Sequence, residues 1–232
     1  MSCKKDLFVR YLVFIFGLYL LAWGVVLIVR SALGTTPISC VNYVASMHTP
    51  LSLGTCTFII NMILIGVQLW LVRGRRTRRD VMEIGLQVPF SFVFAAFIDF
   101  NMALSRDLVP AGYAMSLAIL ALGCVVQALG VVFEIKPHVA MMSGEAVVKY
   151  ASQRYGREFG RLKVVFDCTL VCTAIALSLL LCGRVEGVRE GTVVAAAATG
   201  YIVTFLNARV LTRRNLSRTV SALAILTGGR RN

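Results

Sequence analysis

Acidic residues and histidines are scarce in this chain, with 11 Asp and Glu and two His among 232 residues. All charged residues together make up only 15%. That leaves too little polar surface for a water-soluble fold. The sequence contains no HExxH, GxSxG, P-loop or GxGxxG, so it offers no recognisable catalytic or phosphate-binding device. The histidines, His48 and His138, are not spaced as metal ligands, and the seven cysteines form no CxxC. An odd number without ligand spacing supports neither a disulfide framework nor a zinc site. Cys56, Cys124, Cys168, Cys172 and Cys182 lie in apolar runs and read as small hydrophobes. Cys168 and Cys172, one helical turn apart, share a helix face, which a buried packing face explains as well as chemistry does. Neither enzyme activity, nor a cofactor, nor a metal is expected.

What the chain has instead is apolar length: 58% of its residues are hydrophobic and the mean hydropathy is +0.78. A helix needs about 20 mostly apolar residues to cross roughly 30 Å of hydrocarbon. Six segments qualify, approximately Leu12 to Val29, Leu53 to Val72, Met82 to Leu104, Gly112 to Phe133, Val164 to Cys182 and Thr192 to Val210. The first is too long for a signal-peptide core and lacks a cleavage site, so it is expected to stay as an anchor.

Most of the 24 Lys and Arg residues fall into four clusters: Lys4/Lys5/Arg10, Arg73 to Arg79, Lys136 to Lys163, and Arg209 to Arg231. Cytoplasmic loops carry excess Lys and Arg, which puts all four clusters on one side and two crossings between successive clusters. Both termini are then cytoplasmic, in a multi-pass protein of a bacterial plasma membrane. The net charge of +13 is topological, since the basic clusters flank apolar spans and lack interleaved aromatics; no nucleic-acid partner is expected. The partner implied is the lipid bilayer, with a homo-oligomer or another membrane protein as the further class.

Sliding the chain against itself by 106 residues pairs Gly17 with Gly123, Gly24 with Gly130, Gly54 with Gly160 and Gly85 with Gly191. The same offset pairs Asn61 with Asp167 and Asn101 with Asn207. The expected fold is therefore all-α, with six transmembrane helices arranged as two inverted three-helix repeats. Residues 1–10 form a cytoplasmic N-terminus, 11–105 repeat 1, 106–211 repeat 2, and 212–232 a basic cytoplasmic tail. An odd number of spans per repeat inverts the second copy, an architecture recurrent in secondary transporters with sites near the midplane.

Each repeat also holds a segment too polar to span and too apolar for a plain loop. In the first, Thr36 reads as an N-cap with Pro37 at the first helical position, followed by a half-helix over 36–48. Its counterpart is 142–154. If these crossed fully, Arg73 to Arg79 would land outside, so re-entrant or interfacial half-helices are expected.

The run Leu33-Gly34-Thr35-Thr36-Pro37, then Leu51-Ser52-Leu53-Gly54-Thr55 and Ile98-Asp99-Phe100, resembles the bacterial YczE/YyaS/YitT-type membrane proteins over roughly residues 10 to 210. Members of that type read L-G-T-S-P-W-D in the first motif, where this chain has Ile38 and Ser39 at the last two places. At the repeat offset Ser39 pairs with Glu145, so an acidic residue stands there only in the second half. The resemblance implies the polytopic architecture and names no substrate.

Ionisable and amide groups inside a bilayer are costly to bury, which makes them the candidates for function. Asp99 is the leading one, a proton or cation site with Asn101 beside it. Asn61, Glu145, Asp167 and Asn207 complete the expected substrate or ion path. Lys163, one turn before Asp167, also fits a simple ion pair, and Asn101 and Asn207 also fit interhelical hydrogen bonds. Glu134, Lys136, His138 and Glu145 form a polar patch at the end of the fourth span. There Glu145 would line the path and His138 would share protons with it. Arg30 and Lys136 would snorkel to opposite surfaces. Gly17, Gly24, Gly54, Gly123, Gly130 and Gly160 are expected at close helix packing. The leading functional reading is a small secondary transporter or exporter. Its alternatives are a non-transporting accessory or signalling partner, and a substrate-binding membrane subunit of a larger importer.

Overall fold

A computed structural model describes residues 2–73, 77–137 and 139–206. These form eight helices: α1 (Ser2–Arg30), α2 (Pro37–His48), α3 (Leu53–Val72), α4 (Arg78–Leu104), α5 (Tyr113–Ile135), α6 (Ser143–Tyr155), α7 (Phe159–Cys182) and α8 (Glu190–Phe205). Five of them, α1, α3, α4, α5 and α7, are long and apolar enough to cross a membrane. The protein is thus of the multi-pass membrane type. Within the described residues α8 has 16 residues, and the rest of the expected sixth span, with Asn207 and the basic tail, lies outside them. His138 is outside them too.

Local signals set the helix ends. Ser52 caps α3 by accepting from the Thr55 amide at 3.0 Å, and the Thr77 amide donates to Asp80 at 3.1 Å where α4 begins. Pro37 occupies the first turn of α2, where its missing N–H costs nothing. Gly183 ends α7 with φ +69°, a left-handed cap that favours glycine.

The centre of the molecule is the crossing of α1 and α5. A Cβ on Gly17 would meet the Glu134 backbone at 2.7 Å, one on Gly24 the Gln127 backbone at 2.5 Å, one on Gly123 the side chain of Ile28 at 2.7 Å, and one on Gly130 the Leu21 backbone at 2.4 Å. Contacts advance along α1 as they retreat along α5, so the two helices are antiparallel. Small faces let backbones approach where lipid supplies no hydrophobic drive. Two full reversals, α3 and α4, separate α1 from α5, which leaves no place for α2 as a third crossing. Its 12 residues also extend only about 18 Å, well short of the hydrocarbon thickness.

Helices 106 residues apart exchange partners. Both α2 and α6 pack alongside a long helix of the other half, α2 on α7 and α6 on α3. Likewise α4 packs on α1 as α8 packs on α5. One difference stands out: α3 and α4 pack together, whereas the described residues of α7 and α8 make little contact. Gly54 is therefore wedged against the Ala95 carbonyl and Asp99, while its counterpart Gly160 faces open space. Among the described residues no helix comes close enough to Gly160 to require a glycine, so the expectation of equivalent packing there is not met by them. Among the described residues Cys168 and Cys172 are likewise exposed on α7.

Candidate functional site

Both half-helices start at mid-depth in the bundle. Along α2, Cys40, Val41 and Val44 pack with Leu170, Val171, Ala174 and Leu177 of α7, and His48 reaches Cys182 at its end. Along α6, Ser143 bonds Asn61 in the middle of α3, Ala146, Val147 and Tyr150 pack with Leu64, Ile65, Leu71 and Val72, and Arg154 donates to the Leu71 carbonyl at 2.8 Å. Each half-helix thus runs from the interior outward, α6 toward the end bearing the basic clusters and α2 toward the opposite end. Their N-termini meet, and the Ile38 side chain lies against Gly144.

Neither N-terminus carries a side-chain cap, and the positive ends of two helix dipoles face the same interior region. Polar side chains converge there. Glu134, fully buried on α5, accepts from the Met142 amide at 3.1 Å. Asn61 accepts from the Ser143 hydroxyl at 2.7 Å, and its Nδ2 has no partner. Gln68 donates to the Ser143 carbonyl at 3.1 Å and exchanges two amide bonds of 2.9 Å with Gln87. On the α2 side, the Thr35 hydroxyl is buried and unpartnered, Thr36 bonds Ser39 at 3.1 Å, and Asn42 donates to Thr57 at 3.2 Å. Buried polar atoms without partners are rare, and each asks for a ligand, a water or a moving element.

Glu145 is the third residue of α6. It keeps some surface, yet protein crowds it, and that burial pushes its carboxyl up; Lys163 opposes the shift and Asp167 adds to it. Lys163 and Asp167 pair at 2.7 Å on α7. Lys136, whose ammonium finds no partner, is shifted down by burial.

The expected path residues therefore separate. Asn61 and Glu145 stand at the meeting point, with Asp167 acting on Glu145 from α7. Asp99 stands elsewhere: it accepts from the Ser52 hydroxyl at 2.7 Å and the Gly54 amide at 2.8 Å, closing the start of α3. Asn101 is buried with both side-chain atoms unpartnered, near the Arg30–Ser105 hydrogen bond of 3.2 Å. Arg30 also donates to the Met102 carbonyl at 2.8 Å, so it fastens α1 to α4 as well as ending α1. Removing the Asp99 cap by Asp99→Ala should cost about 1–2 kcal/mol, read as a lower unfolding temperature in detergent, while Asp99→Asn should restore most of it.

Glu134 stood out in the sequence as part of a polar patch, whereas Gln68 and Gln87 were not separable there from ordinary interfacial polar residues. Periodicity does not identify them, because their partners lie on other helices.

The two ends of the bundle differ. At the basic end a cleft of about 210 Å³ opens between α4 and α6, lined by Gln87, Val139, Met141, Ala146 and Lys149 among others. The Lys149–Glu83 pair, at 3.1 Å, stands in it. At the opposite end the equivalent region is shut. The Gly191 amide donates to the Leu33 carbonyl at 2.9 Å, Arg189 to the Ala32 carbonyl at 3.0 Å, and the Thr35 amide to the Thr192 hydroxyl at 3.3 Å. A Cβ on Gly191 would collide with Leu33, whereas one on Gly85, its counterpart, would meet nothing.

Residues 8–208 match a family model described as "Family of unknown function (DUF6198)", and the chain belongs to that family. No curated protein and no solved structure matches it.

Proposed function

We propose that this family member is a small secondary transporter that moves an anionic solute together with a proton, through a site where the α2 and α6 N-termini meet. The observation that carries this reading is the meeting of two uncapped helix N-termini at Ile38 and Gly144, with the buried carboxyl of Glu134 accepting from the Met142 amide where α6 begins. Helix N-termini favour negative charge. An ionised Glu134 competes with a solute anion for that field, and a protonated one does not. Proton and anion then bind together, which is the thermodynamic condition for symport. Asn61 and Thr35 supply the polar contacts that orient the solute.

In this reading the fold is two inverted repeats, with the basic end cytoplasmic by the positive-inside rule. The antiparallel α1–α5 crossing and the exchange of packing partners support it, as does the likeness to YczE/YyaS/YitT-type proteins. The open cleft at the basic end and the clamped opposite end then correspond to an inward-facing state of alternating access. In a cysteine-free background, Arg157→Cys should react with an impermeant maleimide only from the cytoplasmic side, and Gly187→Cys only from outside. Labelling of both from one side would remove the inverted repeat.

The transport test is made in proteoliposomes with an entrapped pH dye and a panel of small inorganic anions and monocarboxylates imposed as gradients. At least one anion should drive proton movement that protein-free vesicles lack. Electrogenic anion flux without proton movement would sink the coupling. No response to any anion, in vesicles shown to hold folded protein, would favour the non-transporting accessory reading.

A further inference from the structure

Beyond the transport reading and independently of it, we propose that His48, Cys182 and Glu186 form a binding site for a divalent ion of the zinc class at the end opposite the basic clusters. Three segments bring these residues together: the last residue of α2, the last residue of α7, and the α7–α8 loop. Cys182 Sγ lies 2.9 Å from His48 Nε2 and 3.2 Å from Nδ1, and His48 Nε2 lies 3.3 Å from Glu186 Oε2. All three donor atoms fall within 4.8 Å of one another.

Zinc bonds of about 2.3 Å to sulfur and 2.0–2.2 Å to nitrogen and oxygen imply tetrahedral ligand–ligand edges of about 3.4–3.6 Å. The nitrogen–oxygen edge of 3.3 Å is close to that length, and the sulfur needs to withdraw from Nε2 by about 0.6 Å. The donor set also selects the ion. Thiolate with imidazole suits zinc and its neighbours, whereas magnesium and calcium require oxygen ligands throughout. Thiolate and carboxylate together balance the charge of a divalent ion, and a fourth position is left for water or another ligand.

The carboxylate is held in place as metal sites generally require. Its other oxygen, Oε1, pairs with Arg184 Nε at 2.5 Å, and the Glu186 amide donates to the Ser178 hydroxyl at 2.8 Å. That hydroxyl donates in turn to the Arg184 carbonyl at 2.8 Å, closing the turn behind the site. All three ligands are part-buried rather than sealed, so an ion can enter from the aqueous side. An occupied site would tie the outward end of the half-helix α2 to α7.

The test is Co²⁺ and Zn²⁺ titration of the purified full-length protein in detergent. Wild type should bind one Co²⁺ with the charge-transfer absorption of a cobalt–thiolate bond, displaced by Zn²⁺ and not by Mg²⁺, and Zn²⁺ should raise its unfolding temperature. Cys182→Ser should abolish the thiolate band, and His48→Ala should weaken binding at least on the order of 100-fold. Glu186→Gln should keep the band and lower the affinity. Each variant is first shown to elute and melt as wild type does without metal. Wild type binding neither ion, or binding unchanged in Cys182→Ser and His48→Ala, would overturn the site.

Discussion

Replacing Gly24 by leucine is expected to prevent the protein from assembling into a monodisperse species. A Cβ at this position would stand 2.5 Å from the Gln127 amide nitrogen and 2.6 Å from its Cα, which are backbone atoms that no rotamer change can move. The two helix axes would have to separate along the whole crossing, releasing the contacts of Gly17, Gly123 and Gly130 as well. Overpacking of a core costs about 1–3 kcal/mol where side chains can adjust, and more where only backbone can. Gly24→Ala should already be destabilising. Gly160→Leu is the control, since among the described residues it meets nothing on α7 and should leave yield and elution unchanged, with up to about 1 kcal/mol gained from helix propensity. Size-exclusion profiles of the three variants decide the matter. A well-behaved Gly24→Leu would mean that α1 and α5 do not cross at these glycines.

Glu134→Gln is expected to leave folding intact and to eliminate proton-coupled flux. The glutamine Oε1 can still accept from the Met142 amide, and a neutral amide is easier to bury than a carboxylate. What it cannot do is exchange a proton at the start of α6. Anion binding should survive, because the helix N-termini are unchanged, but a pH gradient should no longer drive accumulation. Glu145→Gln separates the second carboxyl. Burial pushes the Glu145 carboxyl up, so it holds its proton to a higher pH than an exposed glutamate and releases it as pH rises further. Wild-type symport should therefore fall as pH rises through that raised value, and Glu145→Gln should flatten this limb of the profile. Wild-type coupling in Glu134→Gln would reject the proposed proton site. An unchanged pH profile in Glu145→Gln would confine proton exchange to Glu134.

The half-helices show how far local signals reach. Thr36 followed by Pro37 marks the start of α2, and the repeat offset carries that boundary to Ser143, where α6 begins. Asp99 shows where such signals stop. In the sequence it is a carboxylate in an apolar helix, and function is the natural inference. In the structure it accepts from the Ser52 hydroxyl and the Gly54 amide at the start of α3, partners 47 and 45 residues away that no helical period reveals. Gly54 and Gly160 make the same point, since the repeat equates them and only packing separates them.

What the sequence determined by itself was set by costs that act residue by residue. Apolar length against hydrocarbon thickness marked the five long helices, proline marked the start of α2, and Gly17, Gly24, Gly54, Gly123 and Gly130 marked close approaches. The tertiary structure decided which polar groups face one another: Asn61 with Ser143, Glu134 with Met142, Gln68 with Gln87, and His48 with Cys182 and Glu186. These pairings depend on the rotation of each helix about its axis. In a water-soluble bundle an apolar stripe reports that rotation, but here lipid is as apolar as the core, so hydrophobic periodicity does not distinguish inside from outside. Only contacts between helices resolve it, and they also decide which end of the molecule carries the open cleft.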